Sequence, residues 1–180
     1  MALLQILVAP DPRLKLKARP VDAVDARVAR LMDDMLETMY AAPGIGLAAP
    51  QVGESLRVIV VDVGKGEEER APLRMANPEI AWASEERIPF EEGCLSLPEQ
   101  YADVTRPRAV RVRYLDETGA AREIEAEGLL AVCIQHEMDH LEGTLFVDHL
   151  SVLRRGMIMK RLQKARKAKA TGAAGGDQPA

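Results

Sequence analysis

Residues 135–140 have the sequence "QHEMDH" and contain the spacing His-Glu-x-x-His. On a helix, His136 and His140 lie about 6 Å apart along the axis, so that both imidazoles can bind one cation. Glu137, beside them, is then placed to accept and donate protons. The surrounding residues are mostly apolar, which predicts a buried helix that ends at Gly143. Because unpaired His and Glu side chains are costly in a protein interior, a metal site explains this pattern better than chance spacing on an exposed helix.

A catalytic metal also needs a third protein ligand, which must come from outside the helix segment that carries His136 and His140. The extended protease motif would place a histidine at residue 146, where the sequence has Phe146, and no glutamate follows Glu142. Asp148 and His149 remain as alternatives close behind the helix. Cys133 lies one turn before the first histidine, about 7–8 Å from the metal position along the axis, whereas a metal–sulfur bond is about 2.3 Å. We therefore expect Cys133 to be a small apolar residue that lines the site.

Cys94, in the segment "EEGCLSLPEQ" (residues 91–100), is free of that restriction. We expect it in a loop between turn signals, from which its thiolate can approach the helix. Cys94, His136 and His140 then form a Cys-His-His set with a fourth position open to water, as in catalytic metal sites.

The segment "GIGLAAPQ" (residues 44–51) offers a second contribution from outside the helix. Gly44 and Gly46 permit unusual backbone angles and the close approach of another chain segment. The side-chain amide of Gln51 can donate a hydrogen bond to a developing oxyanion. By itself the segment is weak evidence, because a glycine-rich turn is more often only a turn.

Length and composition indicate one globular domain with a sizeable core. The chain has 180 residues, of which 47% are hydrophobic and 29% charged. No apolar run approaches the roughly 20 residues of a membrane span. The opening "MALLQILVAP" (residues 1–10) is typical of a first strand or extended arm rather than a signal peptide. Two cysteines are too few for a disulfide framework, so we predict a reducing, cytoplasmic compartment.

Charge is distributed unevenly along the chain. Residues 154–169 carry eight Lys or Arg and no acid, whereas residues 1–153 carry 16 basic and 27 acidic residues. We predict a catalytic domain over residues 1–153, a basic helical extension over residues 154–169 and a disordered tail over residues 170–180. The basic helix is either a solvated terminal helix or a surface that faces RNA or the ribosome.

Hydrophobic periodicity predicts both helices and strands. A helix is expected over residues 27–40, stopped by Pro43-Gly44, and a buried strand over residues 56–62. Residues 109–115 and 121–127 alternate around a turn and predict an antiparallel hairpin. Strands ahead of a late helix favour an α+β fold, with antiparallel or mixed β-sheets around the central HExxH helix and a further helix at the C-terminus.

Together, "GIGLAAPQ", "EGCLS" (residues 92–96) and "QHEMDH" resemble the three motifs of the peptide deformylases, in the same order. The resemblance extends from "DPRL" (residues 11–14) to about Leu150. It implies a metal-dependent hydrolase that removes the N-formyl group from the N-terminal formyl-methionine of new polypeptides and releases formate. It also implies that the partners are formylated nascent chains and the ribosome near its exit tunnel, the latter through the basic helix, with no membrane or DNA.

The same resemblance implies a role for individual residues. The metal ligands would be Cys94, His136 and His140. Glu137 would be the acid/base, and the oxyanion hole would be formed by Gln51 and the backbone N–H of Leu95. The implied metal is Fe²⁺, which Zn²⁺, Ni²⁺ or Co²⁺ can replace.

The substrate side of the site is also implied by resemblance. The walls of the methionine pocket would be Ile45, Phe90, Leu129, Val132, Cys133 and the edge of His136. Backbone groups near Ile45, Gly46 and Gly93 would pair with the extended peptide. The sequence departs from the family at Tyr101, where many members have Arg, so contacts beyond the methionine differ here.

Two other classes of protein are weighed against this one. An HExxH metallopeptidase requires a third ligand after the helix, which Phe146 and the absence of a downstream Glu oppose. A non-catalytic RNA- or ribosome-binding protein with a structural metal requires four ligands, and only three good ones are present.

Overall fold

The computed structural model describes residues 2–174. Over these residues there are three α-helices: α1 (Ala26–Ala41), α2 (Leu129–Leu141) and α3 (Val152–Ala174). The strands are β1 (Gly46–Ala48), β2 (Val58–Val61), β3 (Leu73–Ala83), β4 (Arg87–Cys94), β5 (Leu97–Pro107), β6 (Ala109–Leu115) and β7 (Ala121–Glu127). None of the described helices is both long enough and apolar enough to cross a membrane.

The strands form a five-stranded antiparallel sheet in the order β1-β2-β3-β6-β7 and a separate antiparallel hairpin, β4–β5. Strand β2 shows how the sheet carries helices on both faces. Its residues alternate, so that Ile59 and Val61 pack in one buried cluster with α2, and Val58 and Val60 pack in another with α1. The predicted α+β class, with antiparallel sheets around the HExxH helix, is confirmed.

Local sequence signals predict α1 and the β6–β7 hairpin closely. Helix α1 begins after Asp25, whose carboxylate accepts a hydrogen bond from the Val28 N–H at 2.9 Å, and it ends just before Pro43. Strands β6 and β7 pair from Ala109 opposite Glu127 to Leu115 opposite Ala121. Helix α1 buries one face on the sheet, and the hairpin, which belongs to the sheet, buries one face in the cluster with α2. This one-sided burial produces the periodicity that marks both elements in the sequence.

The expectation of a loop around Cys94 is wrong. Cys94 ends strand β4, which pairs with β5 over nearly its whole length. The register shifts between Gly93, which faces Tyr101, and Cys94, which faces Leu97. Strand β4 was not predicted from the sequence, because its charged residues and Pro89 interrupt the alternation of apolar and polar residues that marks a strand.

The N-terminal residues form an extended arm without strand pairing, which agrees with one of the two alternatives for the segment. The Leu7 N–H donates to the Gln51 carbonyl at 2.7 Å, and the Ala9 N–H donates to the Ser96 carbonyl at 2.8 Å. The arm therefore bridges two segments that also supply candidate site residues.

Helix α3 is partly integrated into the domain. Ile158 and Leu162 are buried in a cluster that includes Leu97 and Phe146. The predicted boundary between residues 153 and 154 thus falls inside a packed helix. Residues 170–174, expected to be disordered, are helical, and the remainder of that predicted tail, residues 175–180, lies outside the described residues.

Candidate active site

Helix α2 presents its two histidines on one buried face. His136 is 7% exposed and His140 is 1% exposed, and their ring centroids are 5.2 Å apart. The helix ends as predicted at Gly143, whose φ of 73° is left-handed and therefore suits glycine. Burial lowers the pKa of His140 well below 6.5, with the charges of His136 and Arg106 acting in the same direction, so its imidazole is neutral and able to bind a cation.

Strand β4 carries Cys94 to these histidines. Its Sγ lies 3.4 Å from Nε2 of His140, and the ligand atoms of Cys94, His136 and His140 all lie within 4.8 Å of one another. In residues 2–174 this is the one group of three or more His, Cys, Asp or Glu residues with such convergence. The three predicted ligands are brought together.

The alternative ligands are engaged elsewhere. Asp148 accepts hydrogen bonds from Lys15 at 2.9 Å and Arg155 at 2.8 Å. His149 Nε2 is 2.8 Å from Asp139 Oδ2. The ring of Phe146, at the position where a protease would have its third histidine, instead stacks on His136 with centroids 6.2 Å apart.

Cys133 lines the site without joining the ligand set. Its thiol donates to the Ile45 carbonyl at 3.5 Å, and burial raises its pKa well above 9.0. It therefore stays a neutral thiol and behaves as a small apolar residue, as expected.

Glu92 and Arg106 support the first histidine, and the sequence pattern identified neither of them. Glu92 Oε1 is 2.8 Å from His136 Nδ1, which leaves Nε2 of that ring facing the other two ligands. Arg106 donates to both oxygens of Glu92, at 2.7 and 3.0 Å, and to Asp139 at 2.9 Å. Burial alone would raise the pKa of Glu92, but the hydrogen bonds from His136 and Arg106 outweigh it and hold the pKa below 4.5. Glu92 is thus a carboxylate that fixes the orientation of the His136 ring.

Glu137 is a buried carboxyl group beside the ligand set. Its Oε1 lies 3.9 Å from His136 Nε2, and its Oε2 has no hydrogen-bond partner among the described residues. Burial raises its pKa to about 7; the charge of His136 opposes the rise and that of Glu92 adds to it. A carboxyl group with this pKa can both accept and return a proton near neutral pH.

Gln51 reaches the site from the 3-10 helix Ala49–Val52. Its Oε1 accepts the Ala48 N–H at 2.9 Å, and its Nε2 donates to Ser96 Oγ at 3.0 Å and lies 3.5 Å from Cys94 Sγ. The amide is therefore beside the predicted metal position. Leu95, the neighbour of Cys94, packs its side chain against Gly44, where an added Cβ would lie 2.8 Å from Leu95 Cδ1.

A cavity of about 850 Å³ opens onto these residues. Its lining includes His136, Glu137, Cys94 and Leu95. The predicted substrate-binding residues all contribute to the lining: Ile45, Gly46, Phe90, Gly93, Leu129, Val132 and Cys133. The cavity continues towards Tyr101, which is 65% exposed at its outer end.

The donor set suits a divalent transition metal. A thiolate and two imidazoles match Fe²⁺ or Zn²⁺, and the bond between His136 Nδ1 and Glu92 is the outer support that metal-binding histidines usually have. A structural site would need a fourth protein ligand, whereas here the fourth side faces a buried carboxyl group and a cavity. The fold and site define the class as a metal-dependent hydrolase.

Comparison with known proteins narrows that class to one family. The family model for polypeptide deformylase matches residues 3–156. The peptide deformylase of Methylocella silvestris is 59% identical over 93% of this chain and 87% of its own length. That of Phenylobacterium zucineum is 58% identical over 93% of this chain and 99% of its own.

Solved structures agree with the sequence comparison. The crystal structure of peptide deformylase from Ehrlichia chaffeensis has a TM-score of 0.90 and 38% identity, covering 94% of this chain and 99% of that one. The one from Legionella pneumophila has a TM-score of 0.86 and 46% identity over 94% and 98% of the two chains. The chain belongs to the polypeptide deformylase family and is a hydrolase that removes the N-formyl group from newly synthesised polypeptides.

Proposed function

We propose that Cys94, His136 and His140 hold a single Fe²⁺ ion, for which Zn²⁺, Ni²⁺ or Co²⁺ can substitute. The convergence of their ligand atoms within 4.8 Å supports this assignment. A metal bound there would polarise the formyl carbonyl and lower the pKa of a bound water. Glu92 holds the Nδ1 side of His136, so that Nε2 would be the atom available to the ion.

Glu137 is proposed as the group that moves protons. Its carboxylate accepts the proton of the attacking water and returns it to the departing amine of the methionine. The raised pKa of about 7 supports both steps, because neither protonation state is then strongly disfavoured.

Gln51 and the backbone N–H of Leu95 are proposed to stabilise the charge that develops on the formyl oxygen. The position of Gln51 Nε2, 3.5 Å from Cys94 Sγ, supports its part, since it lies next to a metal ligand. Loss of one such donor typically lowers the rate by about 10²–10³.

The cavity is proposed to take the methionine side chain. Val132, Cys133, Leu129 and Phe90 would supply its apolar walls, and backbone groups at Ile45, Gly46 and Gly93 would pair with the extended peptide. In a formyl group the carbonyl carbon carries a hydrogen where larger acyl groups carry a carbon substituent. A confined site next to Glu137 therefore admits the formyl group and disfavours larger acyl groups. The proposed place of action is the cytoplasm, where new chains are made; the two free cysteines fit a reducing compartment.

The observation that carries this proposal is a buried carboxyl group, Glu137, beside three convergent side chains at a cavity; its Oε2 has no hydrogen-bond partner among the described residues. The test is formate release from a short N-formyl-Met peptide by protein prepared anaerobically with Fe²⁺. We expect rapid release that Glu137→Ala abolishes while metal content is retained. Cleavage of internal peptide bonds would instead indicate a metallopeptidase, and full activity in Glu137→Ala would refute the role of the carboxylate.

Cys94→Ser should sharply weaken the retention of Fe²⁺, because a hydroxyl is a much poorer ligand than a thiolate. Metal content after dialysis is the measurement, with Cys133→Ser as the matched control at a cysteine outside the ligand set. Unchanged metal content in Cys94→Ser would contradict the assignment.

The basic part of α3 is proposed to dock on the ribosome near the exit tunnel. Lys164, Arg166, Lys167 and Lys169 are exposed on this helix, beyond the packed residue Leu162. Replacing these four residues with Glu should weaken sedimentation with ribosomes and leave hydrolysis of short peptides unchanged. Equal sedimentation of the wild type and the four-residue variant with ribosomes at low salt would contradict the proposed docking.

A further inference from the structure

Gln51 and Ser96 form a buried polar pair. Gln51 is 1% exposed and Ser96 is 0% exposed. Groups so completely removed from water require hydrogen-bond partners, and here each supplies one to the other. Gln51 Nε2 donates to Ser96 Oγ at 3.0 Å.

A second bond determines which way the Gln51 amide faces. Its Oε1 accepts the backbone N–H of Ala48 at 2.9 Å, a contact that only the oxygen end of the amide can make. The planar amide is therefore anchored at both ends, by Ala48 through oxygen and by Ser96 through nitrogen.

These anchors direct the remaining hydrogen. A glutamine amide carries two N–H bonds in one plane. Since Ser96 accepts one of them, the other is directed to the side of Cys94, whose Sγ accepts from Nε2 over a long 3.5 Å contact. Without Ser96 the amide would keep only its bond from the Ala48 N–H and the long contact to Cys94, and its NH₂ end would be less firmly held.

The N-terminal arm ties the backbones of the same two residues. The Leu7 N–H donates to the Gln51 carbonyl at 2.7 Å, and the Ala9 N–H donates to the Ser96 carbonyl at 2.8 Å. Gln51 and Ser96 are 45 residues apart, yet one short segment holds both main chains while the side chains bond to each other. The relative position of the pair is thus set by the N-terminal arm as well as by the bond between the two side chains.

We propose that Ser96 is a positioning residue for catalysis: its hydroxyl accepts one N–H of Gln51 and so aims the second at the formyl oxygen of the substrate. This inference rests on the oxyanion role proposed above for Gln51. Ser96 itself does not contact the reacting atoms.

The first test is Ser96→Ala, which removes the hydroxyl and adds no bulk. We expect kcat for an N-formyl-Met peptide to fall about tenfold, a part of the 10²–10³ typical of losing the donor entirely, with KM and metal content unchanged. Thr38→Val is the matched control. Thr38 is 4% exposed; its hydroxyl donates to the Asp34 carbonyl on α1 and accepts the Leu4 N–H of the N-terminal arm. Neither bond involves Gln51 or Ser96, so its loss should leave kcat unchanged.

A double-mutant cycle separates positioning from a general structural effect. In a Gln51→Ala background, Ser96→Ala should cause no further loss of kcat, because there is no amide left to aim. An additive loss would overturn the proposal. If Gln51→Ala lowers kcat while Ser96→Ala does not, the positioning role alone fails; if Gln51→Ala leaves kcat unchanged, the oxyanion role fails and this inference with it.

A third readout does not depend on activity. The side-chain ¹⁵N–¹H signals of Gln51, identified by their disappearance in Gln51→Ala, should show slow exchange with water for the proton bonded to Ser96. In Ser96→Ala that exchange should become much faster, while Thr38→Val should not change it. Equal exchange rates in wild type and Ser96→Ala would contradict the proposal even if kcat falls.

Discussion

At Gly46 the backbone of β1 passes directly against two side chains of α2. A Cβ added there would lie 2.5 Å from Glu137 Oε1 and 2.9 Å from Cys133 Sγ, both well inside normal contact. Both side chains are buried, so an added methyl group would have to displace them from their packed positions. The absence of a side chain at this position is therefore required for Glu137 to keep its position, in addition to any backbone preference.

Gly46→Ala should accordingly lower kcat about 10²-fold, since a displacement of about 1 Å at a catalytic group has effects of that size. The measurement is formate release at saturating peptide. Gly156→Ala is the control, because a Cβ there meets no described atom within 4 Å; it should keep full activity and raise the free energy of unfolding by roughly 0.5–1 kcal/mol. Wild-type kcat in Gly46→Ala would show that Glu137 is not confined by β1.

The elements of the fold differ in how they serve the site. Helix α2 supplies two of the proposed ligands and Glu137. Strand β4 supplies the third proposed ligand and Glu92, and the 3-10 helix after β1 supplies Gln51. Helix α3 lies outside this set, yet Ile158 and Leu162 pack in the same cluster as Leu97 and Phe146. The first part of α3, up to Leu162, thus packs against the domain that holds the site. The exposed, basic residues after Leu162 are available for other contacts.

Ile158→Ala should lower the free energy of unfolding by about 2–3 kcal/mol, because Ile158 is 5% exposed and its loss leaves a cavity. Met157→Ala, one residue earlier and 48% exposed, should change it by less than about 0.5 kcal/mol. Urea unfolding followed by circular dichroism measures both. Equal effects would mean that α3 is not docked in solution.

At the scale of the whole molecule, Asp148 joins three parts of the chain. It accepts hydrogen bonds from Lys15 behind the N-terminal arm, from the Leu145 N–H and from Arg155 of α3. Burial alone would raise the pKa of Asp148, but these hydrogen bonds outweigh it and hold the pKa below 3.8. Because the folded pKa lies below the unfolded one, the ionised group stabilises the fold above pH 3.8, and that stabilisation is lost as the pH falls through the folded pKa.

Asp148→Asn should therefore lower the free energy of unfolding at pH 7 by about 1–2 kcal/mol. The difference from wild type should shrink as the pH is lowered below 3.8. Urea titrations at pH 7 and at successively lower pH provide the comparison, with the exposed Asp103→Asn expected to stay within about 0.5 kcal/mol of wild type at pH 7. A difference that is independent of pH would exclude a charge effect.

Elements with a clear apolar period were predictable from sequence. The spacing of Met32, Met35 and Met39 marked α1, and alternation marked β6 and β7 within a residue of their ends. Strands β3, β4 and β5 were not predicted, because Pro78, Pro89 and many charged residues interrupt their alternation. Their pairing depends on partners that no local window contains.

For the site, the sequence by itself determined the features that depend on covalent spacing. Two histidines four residues apart on a helix must share a face. Residue 146 is Phe where the extended protease motif requires His, and this excluded that motif. The tertiary structure alone decided that Cys94, 46 residues from His140, ends a strand beside it. It also decided that Arg106 bonds to Glu92, which holds His136, that Ser96 bonds to Gln51, and that burial raises the pKa of Glu137 to about 7. The physical reason is that distance and solvent exclusion arise from packing between segments remote in sequence, which helical spacing does not encode.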